Sequence, residues 1–279
     1  MVGSARASLV MFFALTFGLS WFVWGSRLLY ERGVIGWQLS NSFAFLAVSV
    51  SAVVVTCLVA GRTGLRALLK RLVIWRVSPR WYLAALLLPA VPALAALGVY
   101  TAFGGQHDVG ALVPLSAAVP LLLSQLVTHL LTEEMGWRGF ALPRLRAVLG
   151  PLRASLVLGP IWAAWHIPTF LLSGTRQSYP FPGFVVQVLA ITVIMTWIFD
   201  RTRGSVLIAA LFHAAMNTAW ALLNILWGDV WLFSLCVGFT VAVAVVVAVV
   251  QARDGARPRA DEDDSAPSGG PRSASAVGI

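Results

Sequence analysis

The chain is short of charge. Only 11% of its 279 residues are Asp, Glu, Lys or Arg, against 59% that are hydrophobic, and the mean hydropathy is +0.84. A soluble domain carries about 25% charged residues, so this shortage excludes a water-soluble globule, a disordered chain and a coiled coil. Cysteine is as scarce. Cys57 and Cys236 each sit inside an apolar run with no C-x-x-C partner, so they read as small buried hydrophobes and exclude a disulfide framework or a thiolate metal cluster. Lysine is nearly absent, with Lys70 the only one among 20 basic residues. No internal repeat is visible, which disfavours a transporter built from repeated halves.

What the chain has in abundance is long apolar runs. Residues 8–26, 37–60, 82–103, 111–142, 152–172, 183–199, 204–227 and 229–251 each approach the ~20 residues that cross a bilayer, predicting an all-α, polytopic membrane bundle of eight transmembrane helices over 1–251. Basic residues alternate with these runs. If both termini are cytoplasmic, 17 of the 20 bases lie on that side, and only Arg27, Arg32 and Arg176 lie on the other. The net charge of +9 is therefore a matter of topology and anionic lipid headgroups, and nucleic acid is not expected as a partner. Trp24, Trp37, Trp75, Trp81, Trp227 and Trp231 fall near predicted helix ends, as an interfacial aromatic belt requires. Residues 61–81 place Arg62, Arg66 and Lys70 opposite Leu65, Leu68, Leu69 and Leu72, the pattern of an amphipathic helix on the inner leaflet. Residues 252–279, rich in Ser, Pro, Gly and acid, predict a disordered cytoplasmic tail.

Ionisable groups at membrane depth cost about 2.5–3.5 kcal/mol each even on the lenient insertion scale, so each one marks a candidate site. They are few: Glu133, Glu134 and Arg138 in LLTEEMGWRGFALP, His166 in PIWAAWHIPTF, and His213 with Asn217 in LIAALFHAAMNTAW. His129, one turn before Glu133, reads as structural. If the fourth helix runs on to Arg144, with Pro143 as its stop, all three clusters meet about 15–20 Å from the basic edge. That predicts a polar chamber in the cytoplasmic half, with water entering from the cytoplasm. The cost is Gly136 and Gly139, poor helix formers. Glu134 and Arg138 are spaced i, i+4 with the acid first, the favourable order for a pair, which leaves Glu133 to face the chamber. The chemistry this suggests is hydrolysis: a carboxylate as general base for water, an imidazole to share the proton, and a His and an amide to receive an oxyanion. A metal site, zinc for example, with Glu133, His166 and His213 as ligands is the alternative, although no H-E-x-x-H helix is present.

These residues resemble the three signatures of the CAAX prenyl endopeptidase and bacteriocin-processing family of intramembrane proteases (CPBP, or Abi). Glu133-Glu134-Met-Gly-Trp-Arg138 is similar to its E-E-x-x-x-R motif, Trp162-Ala-Ala-Trp-His166 to its aromatic-x-x-x-H motif with Trp where Phe is common, and His213-Ala-Ala-Met-Asn217 to H-x-x-x-N. The resemblance covers about 120–225 and implies cleavage of a peptide bond near the inner membrane face. It assigns water activation to Glu133 with His166, the oxyanion hole to His213 and Asn217, and support to Glu134 and Arg138. It implies a membrane-associated peptide or protein substrate in a bacterial plasma membrane, and it leaves a glutamate-only and a metal-dependent mechanism both open. Serine and aspartate intramembrane proteases are disfavoured, since neither G-x-S-G nor G-x-G-D occurs.

Overall fold

The computed structural model describes residues 2–108, 113–173, 179–225 and 229–255; Arg176, Trp227 and the tail beyond 255 lie outside them. The described chain forms α1 (Val2–Glu31), α2 (Asn41–Leu72) and α3 (Pro79–Ala102). A fourth rod joins α4 (Ala118–His129), a π-helical stretch (Leu130–Ala141) and α5 (Leu142–Leu149), and is followed by α6 (Pro151–Trp165), α7 (Phe181–Arg201), α8 (Val206–Leu222) and α9 (Val230–Gly255). These make eight helical rods, with no strand among the described residues. Six are long and apolar enough to cross a membrane. The other two, α6 and α8, fall short of a full span at 15 and 17 residues. The predicted run 152–172 shortens to α6 because His166 ends the helix and Pro168 sits in the 3₁₀ turn Ile167–Phe170 that follows, where its missing N–H does no harm.

The packing places the π-helical stretch at the centre. It lies against α2, while α6 packs on α7, α8 on α3 and α4, and α9 on α3 and α7. Outside the bundle, Val10, Phe22, Leu58, Leu83, Val119 and Val246 are exposed, so the outer surface is as apolar as the interior, as a lipid-facing surface must be. Polar groups inside find partners across helices. Ser20 Oγ donates to the Ala44 carbonyl at 2.7 Å, Ser49 Oγ to the Thr132 carbonyl at 2.9 Å, and Ser155 Oγ to Thr196 Oγ1 at 2.8 Å. Such bonds tie helices together where hydrophobicity alone cannot.

Four expectations are corrected. Pro143 does not stop the fourth helix, which continues to Leu149, because a proline is tolerated in the first turn of α5. The basic amphipathic segment is helical only to Leu72; it is set off from the span by Gly61 (φ 54°, ψ −153°), and its Leu68 is buried in the protein while Leu69 is exposed. Trp24 and Trp81 are core residues, whereas Trp37, Trp75 and Trp231 are exposed as a belt requires. Cys57 is exposed, and Cys236 alone is buried.

Gly136 and Gly139, costly in isolation, are explained by close approach. A Cβ on Gly136 would lie 2.4 Å from Val48 Cγ1 and 2.9 Å from the Val48 carbonyl oxygen, and one on Gly139 would lie 2.9 Å from Leu68 Cδ1. The backbone of α2 therefore touches the π-helical stretch where a side chain would hold it off. Gly136→Ala is expected to destabilise the protein by about 1–3 kcal/mol through overpacking. Gly18→Ala, with nothing within 4 Å of the added carbon, should leave stability level or higher; thermal unfolding in detergent checks both.

Candidate active site

The π-helical stretch explains how so many polar groups come from one rod. Its i→i+5 bonding is wider than an α-turn and is frequent at functional sites. Every residue from Glu133 to Leu142 is buried, so no polar face is turned outward here. Glu134 and Arg138 are both fully buried, and Arg138 Nη1 donates to Glu134 Oε1 at 2.9 Å. The remaining guanidinium is held on two sides. Nη2 donates to Met195 Sδ at 3.0 Å, and Cζ stands 4.1 Å from the Trp162 ring centroid, a cation–π contact in a dry setting.

From this frame the other groups are placed. Trp162 Nε1 donates to Glu133 Oε2 at 3.0 Å, and the Trp162 carbonyl, one turn before His166, accepts from His166 Nδ1 at 2.9 Å. One residue thereby sets both the carboxylate and the imidazole, and leaves His166 Nε2 as a free lone pair. Glu134 Oε1 also accepts from His213 Nδ1 at 2.8 Å, so His213 offers only Nε2 to the site. Glu133 and Glu134, adjacent in sequence, thus serve opposite sides: Glu133 borders the cavity, and Glu134 is tied to Arg138 and His213.

His129 is the functional residue that the sequence reading leaves out. Its ring stacks on His213 with centroids 3.7 Å apart and planes 11° from parallel, its Nδ1 lies 3.4 Å from Glu133 Oε1, and its Nε2 accepts from Asn217 Nδ2 at 2.8 Å. The signal is the i, i+4 spacing of His129 and Glu133, which puts both on the one buried face of a rod whose Leu123, Val127 and Leu131 are exposed. Asn217, expected to act beside His213 one turn away, instead reaches across to His129.

The expected metal set of Glu133, His166 and His213 is not the set that clusters. Among the described residues, potential ligand atoms of His129, Glu133 and His213 fall within 4.8 Å of one another. The stacked rings carry their lone pairs in parallel planes that do not converge on one point, one nitrogen of each ring is engaged by Asn217 or Glu134, and the ~2.0–2.1 Å metal–nitrogen bonds of zinc require convergence.

His129, Glu133, Trp162, His166, His213 and Asn217 border one cavity of about 300 Å³, lined also by Phe45, Gln125, Thr169, Tyr179, Phe184 and Gln187. Among the described residues no Lys or Arg lines it. Tyr179 is buried at this wall, and burial pushes its phenol pKa up, so it lines the cavity as a neutral group. From Glu133 the cavity extends along the first turns of α7, at Phe184 and Gln187, and the last turns of α8, at Asn217 and Trp220. A depth of 15–20 Å from the basic edge reaches or passes the midplane of a ~30 Å hydrocarbon layer. Removing one partner of the buried ion pair strands a charge. Arg138→Met is expected to cost about 3–5 kcal/mol, and the double change Glu134→Gln/Arg138→Met to recover most of it; an unchanged unfolding temperature for Arg138→Met in detergent would contradict the frame.

Residues 115–219 match the family model Rce1-like, described as type II CAAX prenyl endopeptidase Rce1-like. Over 172 residues the chain is 30% identical to a protein named CAAX prenyl protease 2 from Methanococcus maripaludis, covering 58% of this chain. The match spans 63% of that relative's length. Glu133, Glu134, Arg138, His166, His213 and Asn217 all fall inside 115–219, the region similar to the Rce1-like CAAX prenyl endopeptidase model.

Proposed function

We propose that the protein is an intramembrane endopeptidase that uses Glu133 to activate water. The observation that carries this reading is the placement of Glu133: one oxygen fixed by the Trp162 N–H at 3.0 Å, the other 3.4 Å from His129, on the wall of a buried cavity. Held in this way, the carboxylate takes a proton from water as the oxygen attacks a peptide carbonyl carbon. The new oxyanion needs donors. Asn217 Nδ2 has two hydrogens and spends one on His129, leaving the second for the oxyanion. His213, with Nδ1–H committed to Glu134, donates from Nε2 as the imidazolium; since Glu134 is paired with Arg138, the charge that offsets it is Glu133 before attack and the oxyanion after Glu133 takes the proton. Collapse of the tetrahedral intermediate breaks the C–N bond, and His166 Nε2 relays the proton from Glu133 to the departing amine.

The lining supports an internal peptide bond as substrate. A site built to read a terminal carboxylate would place an Arg or Lys beside it, and the described lining has neither. The aromatic and aliphatic wall suits an apolar membrane-associated segment. The same chemistry requires no metal, and the stacked histidines favour that version over a zinc-dependent one.

Proteolysis of a membrane peptide in defined lipid tests the proposal. Glu133→Ala and His213→Ala are each expected to lower kcat by about 10²–10⁴-fold, and Asn217→Ala by about 10²–10³-fold; unchanged cleavage in the first two would end it. Chelators are expected to leave the rate unchanged, and a chelator-sensitive rate restored by added zinc would establish the metal-dependent reading instead.

A further inference from the structure

At the end of the bundle where α3 begins and α7 and α9 finish lies a further cavity, which shares no lining residue with the hydrolytic site. It holds about 440 Å³ and is lined by Arg80, Trp81 and Ala84 of α3, Trp197 and Arg201 of α7, and Val250 of α9. Helix spacing explains the convergence. Arg80 and Ala84 are i, i+4 and share one face of α3, as Trp197 and Arg201 share one face of α7. The two faces meet through an edge-on contact of Trp81 with Trp197, ring centroids 4.9 Å apart at 73°.

The lining has the chemistry of an anion site. Two arginines border the cavity and, among the described residues, no carboxylate does. Asp200, next to Arg201 in sequence, is turned to Arg146, whose Nη2 lies 2.9 Å from its Oδ1. Neighbouring arginines at this end find acceptors in the protein: Arg144 Nη1 donates to the Phe140 carbonyl at 2.9 Å, and Arg203 Nη2 donates to the Arg76 carbonyl. Arg80 is exposed, with Cζ 5.4 Å from the Trp81 ring centroid, a cation–π contact that supplies no oxygen acceptor for its N–H groups. The indole N–H of Trp197 is buried and also lacks an acceptor. Trp24, Trp137 and Trp165 share that lack but are closed into the core, whereas Trp197 is only partly buried and borders an opening.

Away from the arginines the surroundings turn apolar. Leu87 and Val91 continue the Ala84 face of α3, Val246 continues the Val250 face of α9, and all three are exposed. Since α3 and α9 pack together, these side chains form a track from the cavity along the lipid-facing surface. Cation, indole N–H and apolar track follow one another in the order of phosphate, ester and acyl chain in a phospholipid.

We infer that this cavity binds an anionic phospholipid. Arg80, backed by the charge of Arg201, takes the phosphate, Trp197 Nε1 donates to a headgroup or ester oxygen, and an acyl chain lies along Leu87, Val91 and Val246. The lipid thereby ties α3, α7 and α9 together. The track favours a lipid over free phosphate, and the paired arginines favour an anionic headgroup over one carrying its own ammonium. None of these residues belongs to the hydrolytic site, so the proposal does not rest on the peptidase reading.

Lipid titration of the full chain in nonionic detergent tests it, read by native mass spectrometry and by thermal unfolding. Phosphatidylglycerol is expected to bind and to raise the unfolding temperature, phosphatidylcholine to bind more weakly, and inorganic phosphate to leave the temperature unchanged. Arg80→Gln is expected to weaken phosphatidylglycerol binding by about 10–100-fold, and Trp197→Phe, which keeps a ring and removes the N–H, by about 2–10-fold. Arg66→Gln removes the same charge from an exposed position outside the cavity and is expected to leave binding as in the parent. Should Trp197→Phe fail to fold, the exposed Arg80 still carries the test. Equal weakening by Arg80→Gln and Arg66→Gln, or phosphatidylcholine binding as tightly as phosphatidylglycerol, overturns the site. An inorganic phosphate response matching that of phosphatidylglycerol overturns the lipid as its occupant.

Discussion

The structure depends on one buried ion pair. Glu134 and Arg138 are both fully excluded from solvent, in a setting where an unpaired charge costs several kcal/mol, so neither tolerates the loss of the other. What makes the pair useful is that it is tied to neighbours. Glu134 also accepts from His213, and Arg138 lies on the face of Trp162, whose N–H holds Glu133 and whose carbonyl holds His166. Four groups on three rods thereby take their orientation from one salt bridge. Such a network is rigid, which suits a site whose donors must be in place before charge develops.

The frame requires the π-helical stretch, and the stretch requires its glycines. All nine residues of Glu133–Ala141 are buried, as in a segment surrounded by other rods. Gly136 and Gly139 let α2 reach its backbone. Propensity alone counts against both glycines; packing decides in their favour.

How much of this was legible beforehand follows from which signals are local. Long apolar runs announced the membrane bundle, and the scarcity of charge singled out Glu133, Glu134, Arg138, His166, His213 and Asn217. The i, i+4 spacing anticipated the Glu134–Arg138 pair. What remained hidden was set by contacts between rods. His129 looked structural because its partners, His213 and Asn217, lie 84 and 88 positions away in the chain. For the same reason the Glu134 contact with His213 and the Trp162 contact with Glu133 could not be read from spacing. The limits of α6 and α8 were hidden because these short helices carry too few apolar residues to mark their own ends.

Two adjacent glutamates with opposite duties form the central claim, and substituting each one alone tests it most directly. Glu133→Gln and Glu134→Gln would be compared for peptide cleavage in defined lipid and for thermal unfolding in detergent, on the same preparations. The account predicts that Glu133→Gln loses cleavage while unfolding as the parent does, and that Glu134→Gln lowers the unfolding temperature and cleavage together. Cleavage by Glu133→Gln at the parent rate, or a Glu134→Gln protein as stable as the parent, would contradict it.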